Sequence, residues 1–159
     1  MLRIQDYQPE DAGAIADLYH AAVHAIDPTV YSKEQQEAWA PTPPDKVFWK
    51  ERLAQKQPFV AWREGRVVGF MELEADGHID CAYTHPAFQG QGVAAALYAH
   101  LETNARQAGM ARLYVEASHL IRPFFERRGF HCVQTNQVRR GRVSLTNFTL
   151  EKPLPESPR

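Results

Sequence analysis

Between an extended apolar run, His78 to Thr84, and a helical pattern that begins near Val93 lies the loop Gln89-Gly90-Gln91-Gly92. A glycine-rich turn feeding a helix aims several backbone N–H groups at one point, and the helix dipole favours negative charge there. The natural guest is a phosphate or pyrophosphate, and glycine lets the backbone approach it closely. Taken alone, the glycines also suit an ordinary strand-to-helix turn. No Gly-Lys-Ser or Gly-Lys-Thr follows, so this is not a Walker loop. The third glycine of a dinucleotide-binding fingerprint is replaced by Ala95 or Ala96.

A chain of 159 residues is expected to form a single domain with a substantial core. Its net charge of −1 leaves no electrostatic footprint for nucleic acid or an anionic membrane. No apolar run approaches spanning length, and the N-terminus lacks the plan of a signal peptide. Two cysteines, Cys81 and Cys132, are too few for a disulfide framework and fit a reducing compartment, so a cytoplasmic location is expected. Proline content near the end predicts a domain over 1–153 and a flexible tail over 154–159.

Along the chain, Leu2 to Tyr7 reads as a strand, and Pro9-Glu10-Asp11 opens a helix whose core face carries Ile15, Leu18, Tyr19, Ala22, Val23 and Ile26. Short helices follow over 33–39 and 45–55. Phe59 to Arg63, Val67 to Glu74 and His78 to Thr84 form a meander with turns at Glu64-Gly65 and Asp76-Gly77. The helix after the loop presents Val93, Leu97, Leu101, Ala105 and Ala108 to the core. A strand over 113–117, a helix over 121–128 and a hairpin closing through Arg139-Arg140-Gly141-Arg142 complete the order. This is neither an alternating βαβ wind nor a sandwich, and it predicts an α+β fold with a mixed, mostly antiparallel sheet of about six to seven strands flanked by helices.

The string Pro86-x-x-Gln89-Gly90-x-Gly92-Val93-Ala94 after an apolar strand resembles the acetyl-coenzyme A signature of the GNAT-type N-acetyltransferases, Gln/Arg-x-x-Gly-x-Gly/Ala. Tyr31-Ser-Lys-Glu-Gln35, Trp39-Ala-Pro41, Val115-Glu-Ala-Ser118, the segment Arg122 to Phe130 and Leu145-Thr-Asn-Phe148 resemble a YafP-like branch of that superfamily. The resemblance implies the GNAT fold and transfer of an acetyl group from acetyl-CoA to a primary amine by direct attack in a ternary complex. It implies that Gln89, Gly90, Gln91, Gly92, Val93, Ala94 and Ala95 cradle the pyrophosphate. Pantetheine would lie along Ala82, Tyr83 and Thr84, where a backbone N–H would face the thioester carbonyl, with Ser118 and Phe125 beside it.

The incoming amine must lose a proton, because an alkylammonium has a pKa near 10. Glu116 interrupts an apolar strand where some family members carry a base, and His78 stands where the histone-acetylating members place theirs. Glu72 and Glu74 on the neighbouring strand are further candidates. Phe125 occupies the position at which many members carry a tyrosine that protonates the leaving thiolate, so water, Tyr83, Tyr114 or Ser118 would have to serve. Cys81 as a nucleophile is conceivable, and a core role is the commoner one for a cysteine.

The irregular N-terminal half and the last hairpin are expected to wall the acceptor cleft, with His24, Tyr31, Gln35 and Trp39 facing it. His20 and His24, one helical turn apart, have no companion acid nearby in sequence, and no metal is expected. Arg139, Arg140 and Arg142 of the last turn read first as a solvated tip, with recognition of a phosphate-bearing or acidic acceptor as the alternative. A small-molecule amine is the expected acceptor, with a protein N-terminus or lysine as the alternative. A non-catalytic acyl-CoA sensor is the rival reading, motivated by Phe125, and a homodimer is compatible with the resemblance.

Overall fold

The computed structural model describes residues 1–155. In chain order it comprises β1 (Leu2–Asp6), α1 (Ala12–His24), α2 (Lys33–Trp39), α3 (Lys46–Lys56), β2 (Phe59–Arg63), β3 (Arg66–Leu73), β4 (His78–Thr84), α4 (Val93–Gln107), β5 (Arg112–Ala117), α5 (Arg122–Glu126), β6 (His131–Arg140) and β7 (Val143–Pro153). The strands form one seven-stranded sheet of order β1-β2-β3-β4-β5-β7-β6. Every neighbouring pair is antiparallel except β4 and β5. That parallel pair is brief: only His78 with Tyr114 and Ile79 with Val115 are in register, after which the strands part.

Alternation along the strands sorts the core into two layers. Ala61, Val68 and Met71 pack with Val93, Leu97, Leu101 and Ala105 of α4 and with Phe125 and Phe130, on one face of the sheet. Val60, Val67 and Phe70 pack with Ile15 and Leu18 of α1 and Trp49 and Leu53 of α3, on the other. Each fully buried Leu, Ile or Phe in these layers contributes about 1.5–3 kcal/mol of apolar transfer. Ala108 is exposed, because α4 ends at Gln107 and the chain turns away there.

Glu64 and Gly65 make the expected two-residue hairpin turn, both with positive φ (53° and 74°), closing on the Arg63–Arg66 pair. The last hairpin is tighter than expected. β6 runs on to Arg140, which pairs with Val143, so only Gly141 and Arg142 turn. The C-terminal boundary also moves. β7 continues through Pro153, its last residue, opposite Arg112, and Leu154 is buried and donates its N–H to Ala111 O at 2.8 Å. Residues 156–159 of the expected tail lie outside the described residues. Among the described residues no helix is long and apolar enough to cross a membrane.

Candidate active site

Where β4 and β5 part, a cavity opens on each face of the sheet. On the α4 face a groove of about 650 Å³ is lined by Ala82, Thr84, Gln89, Gly90, Gly92, Val93, Ala94 and Ala95 along one side. Leu120, Ile121, Phe124, Phe125, Arg127 and Arg128 line it along the other. On the α1 and α3 face lies a cavity of about 850 Å³, walled by Tyr19, Tyr31, Trp39, Phe48 and Trp49 and by the inner face of the β6–β7 hairpin. Trp39, Asp80, Tyr83, Glu116 and Ser118 line both. The two cavities adjoin at these five residues, which form their shared border, the opening.

One end of the groove is built from backbone. Gly90 (φ 77°) and Gly92 (φ 81°) both adopt the left-handed conformation, and a Cβ on either would meet no atom within 4 Å. Glycine is therefore favoured here by backbone conformation and not by packing. Ala96 N–H is the amide that returns to Gly92 O, at 3.0 Å, so the amides of Val93, Ala94 and Ala95 remain free at the helix start. The Gln91 side chain accepts a hydrogen bond from Arg63 at 3.2 Å and does not line the groove. Arg127 and Arg128, which sequence reasoning passed over, face the groove from beyond α5, and Arg128 stacks on the Phe124 ring at 3.6 Å. From Asp80 onward β4 bonds only to β3, so its other edge offers unpaired backbone groups to the groove.

At the opening, charged side chains form a continuous chain. Arg52 bonds to Glu72 at 2.7 Å and Asp80 at 2.9 Å, and Lys56 bonds to Asp80 at 2.7 Å and Glu74 at 3.0 Å. Glu74 meets His78 Nδ1 at 2.5 Å, and His78 Nε2 meets Glu116 at 2.8 Å. The hydrogen bond that the ring donates to Glu116, opposed by burial and joined by the bond to Glu74, pushes His78 up to about 9. The ring is thus an imidazolium at neutral pH and has no lone pair with which to act as a base. Glu72 is fully buried; burial raises its carboxyl while Arg52 pulls it down. For Asp80 burial also raises the carboxyl, but Lys56 and Arg52 hold it below the usual range.

Several expected residues sit elsewhere. His24 does not face the cavity: its Nε2 lies 2.7 Å from Ala40 O and its ring stacks on His20, so it anchors the end of α2. Gln35 completes the capping box of α2 with Ser32 and donates to Ser144 O at 3.0 Å, a strut between α2 and the last hairpin. Tyr31 lines the cavity, but its hydroxyl is committed to Thr146 O and His119 N–H. The Tyr114 hydroxyl points to Asp76, away from the opening, whereas Tyr83 and Ser118 border it. Phe125 is fully buried against Tyr98 and Phe130, and its ring lines the groove without offering a proton. Burial, with the charge of Glu72, pushes the Cys81 thiol well up, while Arg52, which donates to its sulfur, pulls the other way.

His20, His24 and Glu37 bring possible ligand atoms within 4.8 Å of one another. Their contacts with Thr42 and Ala40 account for that convergence. Asp80, not singled out in the sequence, lines the larger cavity, and so does Arg140, expected at a solvated tip.

Comparison with known proteins matches this arrangement to one family. The model of the GNAT acetyltransferase domain covers residues 28–152. A curated relative, the uncharacterized N-acetyltransferase YafP of Escherichia coli, is 34% identical over 147 residues, covering 92% of this chain and 93% of the relative. A crystal structure of a GCN5-related N-acetyltransferase from Rhodopseudomonas palustris superposes with a TM-score of 0.89 at 36% identity, covering 96% of this chain and 95% of that one. PaiA N-acetyltransferase from Thermoplasma acidophilum, solved with coenzyme A, shares the fold with a TM-score of 0.78 at 17% identity, covering 97% and 99% of the two chains. With a family model spanning most of its length and a similar relative matched almost end to end, the chain belongs to the GNAT acetyltransferase family.

Proposed function

We propose that the protein transfers the acetyl group of acetyl-CoA to the primary amine of a small molecule, the two substrates entering from opposite faces of the sheet. The observation that carries this reading is the junction of the two cavities at Trp39, Asp80, Tyr83, Glu116 and Ser118. A thioester laid in the groove and an amine held in the larger cavity would meet there. The free amides at the start of α4 take the pyrophosphate, and the unpaired edge of β4 takes the pantetheine amides and supplies an N–H to the developing oxyanion.

In the reaction the amine nitrogen attacks the thioester carbon and forms the C–N bond. The oxyanion then collapses, the C–S bond breaks, and the thiolate of coenzyme A leaves with the electron pair. Glu116, directly or through water, takes the proton lost by the nitrogen. His78 is a positioning residue that fixes the Glu116 side chain through the bond from its Nε2. Tyr83, kept protonated by burial, and Ser118 are the hydroxyls beside the departing sulfur. A thiol of pKa around 8.5 also leaves tolerably without help. The free thiols Cys81 and Cys132 support a cytoplasmic site of action.

A second reading rests on Phe125: with no proton donor on α5, the chain would bind acyl-CoA without turning it over. Calorimetric titration with acetyl-CoA, beside Gly92→Trp, followed by an assay of amine-dependent thiol release, tests both. Saturable binding lost in the variant, together with amine-dependent release, is the expected result. Binding without release across a broad amine panel would favour the sensor, and no binding at all would sink both.

A further inference from the structure

The wall of the larger cavity is charged unevenly. Strand alternation places Gln134, Asn136, Val138 and Arg140 of β6 on one face, and all four line the cavity, while Arg139 falls on the other face. Asn136 spends both amide hydrogens on Asn147 Oδ1 and Thr149 Oγ1, each at 2.9 Å. Its own Oδ1 and the Asn147 amide nitrogen are left to face a guest. Of the two arginines lining the cavity, Arg52 is neutralised by Glu72 and Asp80. Arg140 has no carboxylate partner among the described residues. Its charge is felt at the Tyr19 hydroxyl, so the guanidinium lies over the cavity rather than only in solvent.

The register fixes where this cation stands relative to the reacting end. Glu116 pairs with Thr149, and Thr149 pairs with Gln134, six residues before Arg140 on the same strand. Six residues of extended strand cover about 20 Å, so the Arg140 backbone stands far along the hairpin from Gln134, and its guanidinium borders the cavity apart from the paired carboxylates Asp80 and Glu116. The remaining lining carboxylate, Asp45, accepts the Phe48 N–H as the cap of α3.

We infer that the acceptor is an amine carrying an oxyanion, a carboxylate or phosphate, several bonds away from its nitrogen, and that Arg140 reads that group. The inference rests on the acetyltransferase reading and goes beyond it in naming the substrate class. An ammonium end would be drawn toward Asp80 and Glu116, polar groups along the body would meet Asn136 and Asn147, and the guanidinium would engage the oxyanion through paired N–H donors.

The test compares ω-amino acids of increasing length with their carboxamides and with the matching ω-aminoalkyl phosphates. Wild type, Arg140→Gln and, as a control on the other strand face, Arg139→Gln are assayed for thiol release. Binding of the same amines to the coenzyme A-loaded protein is measured calorimetrically. Wild type and Arg139→Gln are expected to favour the anionic amines over the carboxamides by about tenfold or more, the scale of a charge-assisted hydrogen bond. In Arg140→Gln that preference disappears through KM and Kd. The carboxylate and phosphate arms identify which oxyanion is read. Equal handling of anionic amines and carboxamides by wild type, or a preference that survives Arg140→Gln, overturns the inference. Arg140-dependent binding without turnover would uphold it and refute acetyl transfer instead.

Discussion

His78 Nε2 stands 2.8 Å from Glu116 Oε1 across the parallel β4–β5 pair, and its Nδ1 faces Glu74 on the far side. An imidazolium between two carboxylates joins three strands at the point where the sheet begins to open. Its folded pKa of about 9 exceeds the ordinary value of 6.5. The stabilisation is therefore complete below about pH 6.5 and is lost as pH rises through about 9. Unfolding free energy should fall by on the order of 2–3 kcal/mol between pH 7 and 10. His78→Gln should be less stable at pH 6 and should flatten that decline, as read from urea titrations across the range. An unchanged pH slope in the variant would remove His78 as its cause.

Glu116→Gln keeps the shape and removes the charge. With Glu116 as the base, kcat should drop by about 10²–10⁴, while the Kd for acetyl-CoA changes little because the amides at the start of α4, the free edge of β4 and the groove's arginines are untouched. Stopped assays of amine-dependent release, together with calorimetric titration, separate the two. A variant that keeps nearly full kcat at neutral pH would pass the proton to water or to another group.

Gly69 shows how closely α4 is seated on the sheet. A Cβ there would stand 2.7 Å from Val93 Cγ1, 3.0 Å from Leu97 Cδ1 and 3.2 Å from Tyr83 O. Gly69→Ala should therefore cost about 1–3 kcal/mol by overpacking, lowering Tm. Adding Val93→Ala should recover part of the loss. Strictly additive losses would place the strain elsewhere.

Arg52 is the cation nearest the fully buried Glu72. Arg52→Met should destabilise by about 3–5 kcal/mol, since it leaves a buried carboxylate uncompensated. The double variant Arg52→Met, Glu72→Met should regain most of that. A double variant no better than the single would show that Arg52 acts mainly through Asp80.

Local chemistry carried the reading of the fold. The Glu64-Gly65 turn, the glycine loop with its helix, and the apolar stripe of α4 need only neighbours in the chain to be recognised, and the predicted strands lie in the sheet. What eluded the sequence was whatever depends on register between distant segments. Asp80 reads as the solvated side of a strand until α3 brings Arg52 and Lys56 over it. Arg140 reads as a loop tip until β6 is extended to it and its face is set. A signal was present: Arg52 and Lys56 one helical turn apart, Glu72 and Glu74 two apart, His78 and Asp80 two apart. Each matches the period of its own element and so marks charged faces that must meet. His24 and Gln35 misled because a polar side chain on an amphipathic helix looks the same whether it faces a cavity or ties down a neighbouring backbone.

The brevity of the β4–β5 pairing has a consequence for how such a protein can diverge. Because the strands separate after two residue pairs, the two chambers lie on different sides of the sheet and are bordered in common by only Trp39, Asp80, Tyr83, Glu116 and Ser118. Replacements along the β6–β7 hairpin or between α2 and α3 reshape one chamber while leaving the walls of the other intact. The guest on that side can be exchanged by drift in a handful of surface-lining positions, with no compensating change demanded on the opposite side.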